Sequence, residues 1–184
     1  LILVGGAPAT GKTTLAKCLG EELGYPFLNK DLIKESLFDA LGSPDRVRSA
    51  QLSIASYLVL YRIARRLIDA GTSHVLESNF QRGVSEKELL PLVQTSRAVL
   101  IHCGATTEAL ARRYARRASD GSRHPGHHDG ALGSTDLERL ANGVYAPLDL
   151  PIPILRVDTT GPYRPEFETI VEFVRTQNAI SRRS

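Results

Sequence analysis

Eight residues near the start of the chain, Gly6-Ala7-Pro8-Ala9-Thr10-Gly11-Lys12-Thr13, have the spacing of a phosphate-binding loop: Gly, four free positions, Gly, Lys and a hydroxyl residue. Glycines at both ends keep side chains away from where backbone N–H groups must turn inward onto an anion. Lys12 adds a point charge for the β- and γ-phosphates, Thr13 offers its hydroxyl to Mg²⁺, and Thr14 can donate to the α-phosphate from the first helical turn. Gly6, Ala9, Thr10, Gly11, Lys12, Thr13 and Thr14 are therefore the expected contacts of ATP and Mg²⁺.

Three further groups could do chemistry. Asp31 and Glu77 each stand at the end of a short apolar run. Between Arg112 and Arg123 lie five arginines and one acid, a local net of +4 in a chain whose net charge is +3. On a helix Arg113 and Arg117 share a face, as do Arg112 and Arg116 on the next stripe, so two guanidinium groups can reach one set of phosphates. A solvated basic face is the alternative. The stretch Ser122 to Gly130 holds three of the five histidines, and Arg123, His124, His128 and Asp129 are candidates for acceptor or phosphate contacts from a closing loop.

These residues need strands and helices to hold them. Leu1-Ile2-Leu3-Val4 reads as a strand buried on both faces, and Leu15, Ala16, Leu19 and Leu23 recur at helical spacing up to Gly24. The loop thus lies between strand and helix, where its amides and the helix N-terminus converge. A strand over 25–28 leads to Asp31, and Leu32, Ile33, Leu37, Phe38 and Leu41 mark the helix that follows. Asp31 could simply cap that helix. Ser43-Pro44 reads as the start of a long helix to about Ala70, His74 to Asn79 as a third strand ending on Glu77, and Ser85 with Glu88 as a capping box. A fourth strand over 98–103 precedes a helix capped at Thr106 or Thr107 and running through Arg117. A helix over 135–145, a fifth strand over 154–157 and a helix over 166–178 complete the order. Strand and helix alternate without an internal repeat, which predicts a single domain over 1–184: an α/β, doubly wound five-stranded parallel sheet, with residues 112–133 as a mobile lid.

The P-loop over 5–14, Asn29-Lys30-Asp31 followed by Lys34, the strand end Glu77-Ser78-Asn79 and the helix over 110–117 fall in one order. In these motifs the chain resembles the P-loop kinases of the AAA_33 group, around the kinase domain of phage polynucleotide kinase, chloramphenicol phosphotransferase and zeta toxin. The resemblance implies a P-loop NTPase of nucleoside-kinase-like fold, with Asp31 as general base on the acceptor hydroxyl and Arg113 and Arg117 as lid arginines beside Lys12. It places Lys34, Glu77 and Asn79 at the acceptor side, and leaves Glu77 open between the Mg²⁺ shell, with Thr13, and an acceptor contact. Lys34 stands where the polynucleotide kinase has an arginine, so it lacks the bidentate fork for a phosphate. By the same analogy Asp158 to Gly161 forms a wall of the adenine pocket.

Several classes are set aside. Asn29-Lys30-Asp31-Leu32 lacks the last residue of a guanine-reading motif and follows the second strand, and no Asp-Glu pair ends a strand as in motor ATPases. The expected activity is transfer of the γ-phosphate of ATP to a hydroxyl of a small-molecule or nucleoside-type acceptor. Alternatives are a polynucleotide 5′-hydroxyl kinase, a zeta-like toxin and a nucleotide-binding module without transferase activity. A nucleic-acid partner is disfavoured because the basic excess is confined to one segment with no aromatic track. The apolar runs are too short to cross a bilayer, and the two cysteines, Cys18 and Cys103, fit a reducing, cytoplasmic setting.

Overall fold

The computed structural model describes residues 1–42, 45–119, 124 and 143–180. Its elements are β1 (Ile2–Gly6), α1 (Lys12–Leu23), β2 (Phe27–Asn29), α2 (Lys30–Leu41), α3 (Arg46–Asp69), β3 (Val75–Glu77), α4 (Glu86–Gln94), β4 (Val99–Gly104), α5 (Thr107–Ser119), β5 (Ile154–Asp158) and α6 (Phe167–Ile180). The strands pair in parallel in the order β2-β3-β1-β4-β5. Neighbouring residues of a strand point to opposite faces, and every residue of β1 is buried. Leu1 and Leu3 pack into a core with α3 and α4, while Ile2 and Val4 pack into a second core with α1 and α6. The α/β sheet expected from the alternating pattern is present, covered on both faces.

Three helix starts differ from the sequence reading. Asn29 caps α2: its Oδ1 accepts from Leu32 N at 2.9 Å, so Asp31 lies inside the first turn and is not the cap. Asp45 caps α3 through a 2.8 Å bond from Arg48 N, with Ser43 and Pro44 outside the described residues. Ser85 makes no capping box; its hydroxyl accepts from Gln81 N at 2.9 Å and closes the turn before α4. Thr106 does reach Ala109 N, at 3.4 Å, ahead of α5.

The apolar positions of α2 are only partly covered. Leu32 and Leu41 are 57% exposed, while Lys30 and Lys34 are buried. Ile33 packs against the core beside these two lysines, whose ammonium groups meet Asp31 of the same helix and Ser49 of α3. No helix among the described residues is long and apolar enough to cross a membrane. The helix expected over 135–145 and most of the lid segment lie outside the described residues.

Candidate active site

The register of the sheet assembles the site. Asn29 is opposite Glu77 and Glu77 is opposite Val4, so β2 and β3 end beside the point where β1 enters the P-loop. The loop itself is built from unusual backbone. Gly6 has φ 141°, Ala9 φ 65° and Gly11 φ 76°. A Cβ on Gly6 would sit 2.2 Å from the carbonyl oxygen of Cys103, so only glycine fits there. Thr10 Oγ1 donates to Ala7 O at 2.8 Å and fixes the loop's return, and α1 begins at Lys12 with its first amides at the loop.

Lys12, Thr13, Asn29 and Glu77 form one cluster. Lys12 Nζ is 3.4 Å from Ala7 O and 3.9 Å from Glu77 Oε1. Glu77 Oε2 accepts from Thr13 Oγ1 at 3.2 Å and from Asn29 Nδ2. Glu77 is 2% exposed, and burial pushes its carboxyl above the usual carboxylate range against the opposing pull of Lys12. Burial likewise lowers Lys12, with Glu77 and Asp31 pulling back up and Arg117 adding to the depression. Both groups are driven toward their neutral forms by desolvation, the condition a bound polyphosphate and a hard cation reverse. The carboxylate and hydroxyl oxygens paired at Glu77 and Thr13 are the donor type Mg²⁺ takes, one or two protein oxygens beside phosphates. These two residues therefore fit the ion that the sequence assigned to them.

Asp31 stands on the β2 side of this cluster. Its Oδ1 is 3.2 Å from Lys30 Nζ, and its charge is felt at both Lys12 and Glu77. Lys30 Nζ also lies 5.4 Å from the centroid of the Tyr57 ring. The Tyr57 hydroxyl donates to Asn79 O at 3.1 Å and accepts from Ser78 Oγ at 3.0 Å. Asn79 Oδ1 is enclosed with no hydrogen-bond partner among the described residues, an acceptor turned inward beside the strand end. Lys34 Nζ, one turn beyond Asp31, donates to Ser49 Oγ at 2.9 Å.

On the other side of the loop, Arg113 and Arg117 are the half-buried arginines of α5 and Arg112 and Arg116 the exposed ones. The inward face is thus the 113/117 stripe. Arg113 does not extend toward Lys12 in this conformation: it donates to Ala9 O at 3.1 Å, to Thr159 O, and at 3.4–3.5 Å to Thr159 Oγ1 and Thr160 O. Thr159 Oγ1 in turn bonds Thr10 O at 2.5 Å and Gly104 O at 3.0 Å, so the turn after β5 is laced to the P-loop. His124 Nε2 meets Asp39 Oδ1 at 3.0 Å and its ring stands edge-on to Phe38, at the outer part of α2. Arg123, His128 and Asp129 lie outside the described residues.

The sequence reading had not singled out Asn29, Lys30, Ser49, Tyr57 or Ser78 as site residues. Asn29 and Lys30 were visible as motif neighbours of Asp31. Tyr57 and Ser49 sit in a helix of 24 residues with no local signature, and only packing against α2 brings them to the site.

Comparisons with known proteins agree with this fold. The AAA_33 family, described as an AAA domain, matches residues 1–131. Uncharacterized proteins of Mycobacterium tuberculosis and Mycobacterium bovis are 32% identical over 133 residues, 66% of this chain but 26% of their own length. The crystal structure of a "putative kinase" from Chloroflexus aurantiacus is 37% identical with a TM-score of 0.85, covering 96% of each chain. A gluconokinase of Sinorhizobium meliloti (18% identity, TM-score 0.55, 100% of this chain and 96% of that one) shares the fold. So does a shikimate kinase of Aquifex aeolicus (13%, 0.55, 97% and 98%). With a P-loop of this geometry at its centre and a family match over most of its length, the chain belongs to the AAA_33 family of P-loop proteins.

Proposed function

We propose that the protein is an ATP-dependent phosphotransferase that moves the γ-phosphoryl group to a hydroxyl of a small-molecule acceptor. The observation that carries this reading is the placement of Asp31: a carboxylate in the first turn of α2, beside the Lys12 and Glu77 cluster, with a cavity of about 870 Å³ lined by Lys34 and Tyr57 next to it. A switch or motor has no need of a carboxylate between its phosphate loop and the neighbourhood of such a cavity. The names of the structural relatives, a kinase in each case cited, support the same class.

In the proposed reaction the acceptor oxygen attacks the γ-phosphorus as the bond to the β–γ bridging oxygen breaks. ADP leaves with that electron pair, and Asp31 takes the hydroxyl proton. The products are a phosphate monoester, ADP and a proton. Lys12 and the loop amides hold the phosphates, Arg117 approaches from α5, and Thr13 with Glu77 would hold Mg²⁺, which supplies charge neutralisation when bound. Lys30 keeps the Asp31 carboxylate in place. A cytoplasmic setting suits a chain that uses ATP and carries two free cysteines.

The test is γ-labelled ATP with a panel of sugars, nucleosides, hydroxy acids, antibiotics and 5′-hydroxyl oligonucleotides, repeated with Asp31→Asn. Acceptor labelling should fall by roughly 10²- to 10⁴-fold in the variant with ATP affinity unchanged. Equal slow hydrolysis by both proteins and no labelled acceptor would sink the transferase reading. Labelled oligonucleotide alone would move it to the polynucleotide branch.

A further inference from the structure

The cavity beside Asp31 has a composition that says what kind of acceptor it takes. It runs along one stripe of α3, from Arg46 past Ile54 and Tyr57 to Tyr61, with Val84 and Glu88 on the opposite wall. The fifteen helical rises from Arg46 to Tyr61 make that groove about 22 Å long. Its volume of about 870 Å³ lies at the upper end of the roughly 300–1,000 Å³ range that holds drug-sized ligands, and far exceeds what a three- or six-carbon polyol fills.

The walls are apolar where they are most open. Ile54, Leu58 and Val84 are 63%, 54% and 64% exposed, and the Tyr57 and Tyr61 rings stack at 5.8 Å. A hydroxyl-covered sugar would lose water against these side chains without hydrogen bonds in return. A ring or branched chain would bury them. The basic groups are gathered in the half of the groove nearer the start of α3. Lys34, 8% exposed, holds its ammonium on Ser49 there, and Arg46 stands at the mouth. Two cations in that half, against the single acid Glu88 beside Tyr61 in the other, favour a ligand that carries a negative group.

We infer that the acceptor is an amphipathic alcohol: a ring-sized apolar body seated against Ile54, Leu58 and Val84, and an anionic group held by Lys34 and Arg46. This rests on the phosphotransferase reading for its chemistry, but the ligand class is testable by binding alone.

The experiment follows the methyl resonances of Ile54, Leu58 and Val84 while 3-phenyllactate, N-benzoylserine, 3-phenylpropane-1,2-diol, glycerate and gluconate are titrated into the protein with an ATP analogue bound. ADP release is measured for the same compounds with ATP. The two aryl hydroxy acids should shift all three methyls and bind at least tenfold tighter than glycerate or gluconate. Val84→Glu, on the exposed wall, should weaken them about tenfold without altering ATP affinity. Lys34→Gln should weaken 3-phenyllactate but not its uncharged diol counterpart. Methyl shifts without ADP release would uphold the ligand class and count against the transferase reading. No shift with either aryl acid at millimolar concentration, or binding of glycerate or gluconate as tight as theirs, overturns the inference.

Discussion

Lys30 is an ammonium with a side chain only 10% exposed, marked in the sequence only as the neighbour of Asp31. Its burial is tolerable because Asp31 Oδ1 is 3.2 Å away and the Tyr57 ring lies beneath it. That arrangement fixes the direction of the carboxylate that we assign as base. Lys30→Met should lower acceptor turnover more than ATP affinity, because the carboxylate loses the ammonium that holds it, and Lys30→Arg should restore part of the loss. Turnover and ATP titrations of the three proteins check this; an equal loss of both would reduce Lys30 to packing. The same scale shows why Asp31 itself was readable only in part. Its place at a strand end was legible, but a cap and a base look alike in sequence until Asn29 is seen to occupy the cap.

At the scale of elements, β4 carries an unusual histidine. His102 lies beside Arg156 of β5 in the parallel register, and burial, followed by the Arg156 charge, lowers its pKa to about 4. A base whose folded value is below its unfolded value of 6.5 binds fewer protons folded than unfolded between those two values. Its contribution to stability is therefore complete above pH 6.5 and is lost as pH falls toward 4, a few kcal/mol at most at about 1.4 kcal/mol per unit. His102→Gln should flatten the acid limb of the stability curve in that window, read by urea denaturation at pH 4 to 7. A wild-type slope retained in the variant would assign that limb to other groups. Elements also explain why lysines of α2 are buried. Periodicity of Leu32, Ile33, Leu37 and Phe38 shows that a helix forms, but which side chains turn inward depends on what they meet, and Lys34 meets Ser49 of α3.

For the whole molecule the telling residue is Arg113, which joins three segments distant in the chain: α5, the P-loop at Ala9 and the turn after β5 at Thr159. Guanidinium reaches several carbonyls at once and an ammonium does not. Arg113→Lys should thus cost about 1–3 kcal/mol in denaturation experiments and weaken ATP binding, because the loop loses its tether to the sheet's far edge. Slower turnover with stability and ATP affinity both unchanged would return Arg113 to the lid role that the family resemblance implies, beside Arg117.

The sequence by itself determined the nucleotide half of this protein. Gly6, Gly11, Lys12 and Thr13 lie within eight residues, and the contacts they make are those of a backbone turn running into the first turn of α1, so local geometry suffices. The alternation of strand and helix likewise determined the parallel sheet. Tertiary structure decided the half that we propose for the acceptor. Its walls come from residues 34, 46–61 and 81–88, which meet only because α2 and α3 pack together and β3 ends beside them. Tyr57 against Lys30, Lys34 against Ser49 and the apolar stripe of α3 facing Val84 are consequences of that packing. Pairings between segments so far apart in the chain leave no spacing for a sequence pattern to record.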